Sequence, residues 1–188
     1  MSALEDILTE NPIIAAVKSN EALETAINSK AQIVFVIYGN ILNIGSICKK
    51  LKVAGKIVFV HIDMIEGIKG DSKGIEFIKR AGDPYGIITT KQANIKHALQ
   101  FGLKTIQRLF IIDSQSMKTG INNINSVGPD AVEVMPGIAS KIINQMKKDV
   151  HLPIIAGGLI DTKEDVKDAL NAGAIAISTS NQALWSIA

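Results

Sequence analysis

The chain has 188 residues and a mass of 20.1 kDa, which is the size of a single domain. Hydrophobic residues make up 47% and charged residues 20% of the sequence. Together with a mean hydropathy of +0.24, this composition excludes a disordered chain. The unbroken apolar runs, such as Ile33–Tyr38, are far shorter than the ~18 residues needed to span a bilayer. The sequence therefore predicts a globular protein that does not cross a membrane.

The net charge of +2 hides an uneven distribution along the chain. Residues 41–110 carry 12 basic and 5 acidic groups, whereas residues 1–40 carry 2 and 5, and residues 111–188 carry 6 and 8. A basic segment can attract a polyanion, and it can equally form solvated helix faces. Both interpretations stay open at this point.

The first residues and the single cysteine indicate the compartment. Glu5, Asp6 and Glu10 occupy positions where a signal peptide needs positive charge and then an apolar run, so we expect an unprocessed, cytoplasmic protein. Cys48 has no cysteine partner for a disulfide or a zinc site. We predict that it is buried in a helix.

Short apolar runs rich in Ile and Val recur along the chain. They are apolar at successive positions rather than at alternate ones, which is typical of parallel strands covered on both faces by helices. The runs are Ile13–Val17, Ile33–Tyr38, Ile57–Ile62, Gly86–Thr89, Thr105–Ile112, Ala131–Met135, Ile154–Ala156 and Ala174–Ser178.

Amphipathic segments with helical spacing separate these runs. Asn20 begins one helix, and Thr162 begins another with Asp165 at the capping-box position. Further helices are predicted at Ile41–Lys52, Lys73–Ala81, Gln92–Phe101, Met117–Val127 and Ile138–Asp149.

The repeated strand–helix alternation predicts an α/β fold, a compact (β/α)8 TIM barrel. We expect one domain over residues 1–188, with residues 1–11 as a short N-terminal extension. An open sheet of at least six strands is the alternative. Few residues follow the last strand, so the eighth helix must be short.

Phosphate groups in such barrels bind at the loops after strands 7 and 8. Two glycines end the seventh predicted strand, and three hydroxyl residues end the eighth. Glycines let backbone N–H groups approach an anion, and hydroxyls add donors. The predicted phosphate site consists of Gly157, Gly158, Ser178, Thr179 and Ser180.

Other strand ends carry ionisable side chains. His61 and Asp63 lie on one face of the third predicted strand, ~6–7 Å apart by the strand repeat. They could act as a general base, bind ligand hydroxyls or form half of a metal site, and His61 could instead be a buried structural histidine. No local metal motif exists among His61, Asp63, Glu66, Asp113 and Glu133, and no metal is predicted.

Glu133 lies within an apolar run, where an unpaired charge is costly. Its candidate partners are Lys18 in the first strand and Lys91 after the fourth. A structural ion pair and a ligand contact both remain open.

Taken together, the strand ends resemble one family, the glycerol uptake operon antiterminator regulatory proteins of Gram-positive and related bacteria. The matching segments cover nearly the whole chain, with small departures at Met64 and Met135, where leucine is expected. The segments are Pro12–Lys18, Val60–Gly67, Gly86–Lys91, Gln107–Ser114, Pro129–Gly137, Ile155–Ile160 and Ser178–Ser180.

The resemblance implies a TIM barrel that binds glycerol 3-phosphate, needs no cofactor, and acts on a leader mRNA so that transcription continues into glycerol-utilisation genes. It implies that the phosphate occupies the predicted site. The glycerol end or the pocket around it would involve Lys18, His61, Asp63, Glu66, Lys91, Asp113 and Glu133.

On this hypothesis the basic segment contacts RNA. The candidates are Lys49, Lys50, Lys52, Lys79, Arg80 and Arg108. Ligand binding would shift the strand-end loops toward an arrangement that presents these residues to RNA.

Two alternatives remain. The first is a phosphate-ester-processing TIM-barrel enzyme of the isomerase, aldolase or phosphodiesterase type, because one fold hosts many functions. The second is a sensor that acts through a protein partner and never touches RNA. The sequence does not set the oligomeric state, and a homo-oligomer is among the options.

Overall fold

The computed structural model describes residues 2–187. Its eight parallel strands form a closed barrel in sequential order, and β1 pairs with β8 to complete it. The strands are β1 Ile13–Val17, β2 Ile33–Val36, β3 Ile57–His61, β4 Gly86–Thr89, β5 Lys104–Phe110, β6 Ala131–Met135, β7 Ile154–Gly157 and β8 Ala176–Thr179. The predicted TIM barrel is confirmed, and the open sheet is excluded.

One helix precedes the barrel, and one follows each of the first seven strands. They are α1 Ala3–Glu10, α2 Asn20–Asn28, α3 Ile44–Val53, α4 Ser72–Gly82, α5 Gln92–Gln100, α6 Ser114–Val127, α7 Ser140–Asp149 and α8 Lys163–Asn171. Between β8 and Ile187 the chain forms only a short 3₁₀ turn, Gln182–Leu184, as the few remaining residues predict.

Two apolar layers hold the barrel together. Side chains from alternate strand positions, including Phe35, Phe59 and Ile106, fill the barrel interior. The outward-facing side chains pack beneath the helices, where Cys48 of α3 is buried as predicted. Burial raises the pKa of the Cys48 thiol to about 12, so it is an inert core residue.

The N-terminal helix closes one end of the barrel. Ser2 and Glu5 form a capping box at the start of α1, and Leu4 and Leu8 join the interior cluster with no exposed surface. Because α1 precedes β1 directly, it covers the amino ends of the strands. The carboxyl ends are therefore left open for a ligand.

Several element boundaries differ from the prediction. The helix expected from Ile41 begins at Ile44, because the Asn43 side chain accepts a hydrogen bond from the Asn40 N–H and forms a turn there. The strand expected to end at Ile112 ends at Phe110, where the chain turns into the cap of α6. Across residues 2–187, no helix is long and apolar enough to cross a bilayer.

Candidate functional site

A cavity of about 240 Å³ opens at the carboxyl ends of seven of the eight strands, all except β4. We call it the mouth. Its lining includes two positively charged side chains, Lys18 and Arg108, and one carboxylate, Asp161. The remaining lining residues are apolar, hydroxyl or glycine: Ala16, Ile37, Met64, Met135, Gly158, Leu159, Ile160, Ser178, Thr179 and Ser180. The two departures from the family pattern, Met64 and Met135, thus both face the site.

Within the described residues, a lysine without an ion pair and three backbone N–H groups without acceptors lie at the mouth. The Lys18 Nζ donates to Ser180 Oγ at 3.1 Å and forms no ion pair within residues 2–187. The backbone N–H groups of Gly158, Leu159 and Ser180 meet no acceptor in the same part of the chain. Free amides beside a lysine are the chemistry of an anion-binding site.

The β7–α8 loop takes a left-handed conformation to present these amides. Gly158 has φ +82 and Leu159 has φ +60. A Cβ on Gly158 would contact only the Met135 side chain, so there is room for a larger residue. Glycine is required because the backbone is left-handed at this position. Leu159 keeps this unfavourable backbone with 67% of its surface exposed at the rim of the mouth.

One predicted phosphate ligand is placed differently. The Thr179 hydroxyl donates to the Ile160 carbonyl at 2.7 Å and accepts from the Asn181 N–H, on the outer side of β8. The Thr179 hydroxyl thus ties β8 to the neighbouring loops, and its role as a phosphate ligand stays a prediction. The hydroxyls left at the mouth are those of Ser178 and Ser180.

The predicted partners of Glu133 are wrong. Arg108 stands opposite Glu133 in the β5–β6 register, and its Nε donates to Glu133 Oε2 at 2.6 Å. Arg108 is 8% exposed and Glu133 is fully buried. Lys18 instead contacts Ser180 and Lys91 approaches Asp63, so neither reaches Glu133.

The same pair overturns the assignment of Arg108 to an RNA surface. Its side chain points into the barrel, because Arg108 shares the inward parity of Ile106 on β5. A buried guanidinium locked by a carboxylate cannot reach a polyanion outside. Arg108 belongs to the mouth instead.

Gly157 has a packing role beneath the mouth. A Cβ at this position would lie 2.6 Å from Glu133 Oε1, so only glycine leaves room for that carboxylate. Glu133 Oε1 itself has no hydrogen-bond partner within the described chain. Gly157 was predicted as a phosphate ligand, but the direct effect of a side chain there would be to displace Glu133.

His61 lies close to this pair and stays neutral. Burial and the nearby Arg108 charge lower its pKa from 6.5 to about 4, although Asp63 opposes the shift. Its Nδ1 is 4.0 Å from Asp63 Oδ2 and lacks a hydrogen-bond partner in the described residues. A histidine with this pKa is a poor general base near neutral pH.

Asp63 does not sit on the strand face with His61. The chain leaves β3 after His61 and enters a 3₁₀ turn, Ile62–Met64, which aims Asp63 at β4. Its carboxylate accepts hydrogen bonds from Thr89 Oγ1, the Thr90 N–H and Oγ1, and Asn94 Nδ2, at 2.8–3.3 Å. Asp63 therefore fastens the β4–α5 loop.

Three further predicted site residues lie outside the mouth. Lys91 is exposed, with its Nζ 3.8 Å from Asp63. The exposed Glu66 forms a bridge with Asn40 through its backbone. Asp113 caps α6 by accepting from the Ser116 N–H at 2.7 Å, and this hydrogen bond lowers the pKa of its carboxyl. The carboxylates are thus dispersed, and no cluster of three metal-binding side chains forms in residues 2–187.

Most of the predicted RNA-binding side chains are engaged with carboxylates. Lys50 pairs with Glu24, Arg80 with Glu76, and both Lys52 and Lys79 with Asp83. Lys49 is exposed and has no ion pair in the described chain. The candidates on α3 and α4 therefore share their charge with neighbours.

The sequence analysis did not identify the residues that hold Asp63 or the backbone amides at the mouth. Thr89, Thr90 and Asn94 were not considered, although a Thr-Thr pair at the end of the strand next to Asp63 was a usable signal. The three free amides depend on loop conformation, for which the Gly-Gly pair was the sole signal.

The model of the glycerol-3-phosphate responsive antiterminator family matches residues 13–185. The chain belongs to this family. The YgcP protein of Escherichia coli strain K12 is 41% identical over 182 residues, covering 97% of this chain and 95% of that protein. The resemblance read from the strand ends is confirmed.

Solved structures of glycerol uptake operon antiterminator proteins resemble this chain. The glycerol uptake operon antiterminator regulatory protein of Listeria monocytogenes superposes with a TM-score of 0.89 at 35% identity, over 92% of this chain and 94% of that one. A glycerol uptake operon antiterminator-related protein of Thermotoga maritima gives 0.84 at 35% identity, over 94% and 99%. An aldolase, QR15, gives 0.74 over 95% and 93%, but at 15% identity it shares the fold alone.

The buried Arg108–Glu133 ion pair predicts the relative stability of two variants. Glu133→Leu leaves the Arg108 guanidinium buried without a partner, which should lower the free energy of unfolding by about 3–5 kcal/mol. The double variant Arg108→Met/Glu133→Leu removes both charges and should regain most of that loss. Urea unfolding measures both. Equal stability of the single and double variants would contradict a desolvated pair.

The lowered pKa of His61 predicts how the stability of the protein changes with pH. The folded chain keeps His61 neutral down to about pH 4, whereas the unfolded chain protonates it below 6.5. Stability contributed by the neutral histidine is therefore lost as pH falls from 6.5 to about 4, by up to about 3 kcal/mol. In urea unfolding, His61→Gln should lose this part of the acid dependence, and His151→Gln, at an exposed histidine, should keep it. If His61→Gln kept the wild-type dependence of unfolding free energy on pH, the attribution of this dependence to His61 would be refuted.

Proposed function

We propose that this protein is a glycerol-3-phosphate-responsive antiterminator: it binds glycerol 3-phosphate at the mouth and acts on a leader mRNA to regulate genes of glycerol uptake and utilisation. As a regulator of nascent mRNA, it would work in the cytoplasm. The observation that carries the proposal is the mouth itself, a cavity of about 240 Å³ lined by Lys18 and Arg108 together with Gly158, Leu159 and Ser180, whose backbone N–H groups meet no acceptor in residues 2–187.

The phosphate end fits the donors of β7, β8 and β1. The phosphate dianion would accept from the Gly158, Leu159 and Ser180 amides, with the Lys18 ammonium as counter-charge. Hydrogen bonds from charged or oriented donors to phosphate are the strongest available in such a cavity. Asp161 at the rim disfavours a second anion, which suits a ligand with a single phosphate.

The glycerol end would lie beside Arg108. Arg108 lines the cavity, and behind this lining Glu133 Oε1 and His61 Nδ1 are buried without hydrogen-bond partners among the described residues. Buried polar atoms of this kind are costly until a ligand or water satisfies them. Hydroxyl groups of a polyol would be suitable donors, and Ile37, Met64 and Met135 would cover its carbon atoms.

The chemistry of these side chains favours binding over turnover. Catalysis by proton transfer needs a group whose pKa lies near the working pH, whereas the pKa of His61 is lowered to about 4. Asp63 is occupied by hydrogen bonds from the β4–α5 loop. The likeness to aldolases supports only the fold, so the enzyme alternative rests on no feature of this site.

The mouth also offers a route for regulation. It draws on residues at the ends of seven strands, so a ligand that binds one arrangement of these strand ends better stabilises that arrangement. The free energy gained would be the coupling between ligand and RNA affinity.

The ligand prediction uses a matched pair of lysines. Lys18→Gln should weaken glycerol 3-phosphate binding at least about tenfold, because a charged hydrogen bond contributes about 1.5–3 kcal/mol. Lys30→Gln removes an equal charge from the loop before β2, at the closed end of the barrel, and should bind normally. Isothermal titration calorimetry measures both, with glycerol as the comparison that lacks a phosphate.

The regulatory part is tested by transcription in vitro through a terminator-bearing leader of a glycerol-utilisation gene. Wild-type protein with glycerol 3-phosphate should increase the full-length transcript, and Lys18→Gln should require more ligand. Unchanged ligand affinity in Lys18→Gln would refute the site. Ligand binding without any effect on read-through would refute the antiterminator role.

A further inference from the structure

The distribution of charge over the helices differs from the distribution along the sequence. Residues 111–188 are acidic overall, but their acidic groups concentrate on and beside α8. Helices α6 and α7 together carry four lysines and a single carboxylate, Asp149, which is the last residue of α7. These two helices therefore form a basic surface that the sequence count concealed.

The lysines of this surface are available. Lys118 on α6 and Lys141, Lys147 and Lys148 on α7 are exposed, and none forms an ion pair within residues 2–187. This contrasts with α3 and α4, where carboxylates already hold most of the basic groups. A polyanion can approach α6 and α7 without first displacing a carboxylate.

A groove of about 590 Å³ runs between the two helices. Lys118, Asn122 and Asn125 line it from α6, and Lys141 and Gln145 line it from α7, above a partly apolar floor that includes Ile121. Asp113 and Asp149 lie at its edges, and Asp113 is engaged as the α6 cap. Amides can hydrogen-bond to the edges of unpaired bases, while lysines contact phosphates.

The end of β5 contributes an apolar part of the groove. Ile111 and Ile112 line it, whereas Phe110, which is 56% exposed, lies outside the lining and shares the inward parity of Ile106 on β5. The groove thus offers two contacts that single strands use, cations and amides.

The groove is joined to the mouth through the buried ion pair. Arg108 lies on β5, which leads into α6, and Glu133 lies on β6, which leads into α7. A ligand that contacts Arg108 therefore acts on the two strands that carry the two walls of the groove.

We propose that the groove between α6 and α7, rather than the lysines of α3 and α4, is the surface that binds single-stranded RNA. This inference rests on the proposed function, because it assumes that the protein acts on RNA directly. The occupant is a single strand whose phosphates meet Lys118 and Lys141 and whose bases meet the amides between them.

The test uses RNA that the wild-type chain selects from a random-sequence single-stranded pool in the presence of glycerol 3-phosphate. Binding of that RNA to two matched double variants is measured by fluorescence anisotropy over a range of salt concentrations. Lys118→Gln/Lys141→Gln alters the groove, and Lys49→Gln/Lys50→Gln removes the same charge from α3. All four lysines are exposed, and none lines the mouth.

The groove variant should lose about tenfold or more in affinity, and its dependence of log affinity on log salt should flatten by about 1.4, at ~0.7 for each lost phosphate contact. The α3 variant should stay within about twofold of wild type, because its lysines make no contact with the strand. The reverse result would overturn the groove while leaving RNA binding intact. Unchanged binding by both variants would also overturn it and leave the groove to a protein partner. If the wild-type chain selects no RNA, the direct RNA step of the proposed function fails as well.

Discussion

The arrangement of the open end of this barrel depends on one buried ion pair. Arg108 and Glu133 face each other across β5 and β6 inside the barrel, where two unpaired charges would be prohibitively costly. The pair explains why position 157 is glycine, since any side chain there would meet the carboxylate. It also contributes to keeping His61 neutral, because the guanidinium charge disfavours protonation nearby.

Around this pair the two ends of the barrel have separate tasks. Helix α1 seals the amino end with Leu4 and Leu8, so stability is provided there by apolar packing. The carboxyl end keeps Lys18 without an ion pair and three amides without an acceptor within residues 2–187, which is costly for folding but suits an anion. The Asp63 network ties β3 to the β4–α5 loop at the side of this opening and gives it a defined frame.

The sequence predicted the barrel well because strands buried on both faces have a simple signature. Ile13–Val17, Gly86–Thr89 and Ala131–Met135 agree with the structure at both ends. The helix at Ala3–Glu10 was treated only as an extension, because eight residues of helix gain stability from docking against the barrel, which no local pattern reveals. Of the predicted phosphate site, Gly158, Ser178, Thr179 and Ser180 line the mouth, but the sequence did not reveal that the Thr179 hydroxyl is engaged by the Ile160 carbonyl.

Ion pairing was the least predictable feature. The partner of Glu133 depends on the register between β5 and β6, which fixes Arg108 opposite it, and register is a property of the closed barrel. Because the sequence does not reveal this register, the prediction wrongly assigned Arg108 to an outer surface. Counting charge along the chain favoured residues 41–110 as the basic face, whereas the folded helices give the unpaired lysines of α6 and α7 that role.

The central claim is that the mouth holds a phosphorylated polyol without converting it. A phosphorus NMR spectrum of glycerol 3-phosphate with substoichiometric protein, followed over hours, tests this directly because it reports binding and chemistry together. If the mouth only binds the ligand, one resonance persists, unchanged in position and area and broadened by exchange with the protein. A new resonance that grows with time would contradict it and make this barrel an enzyme.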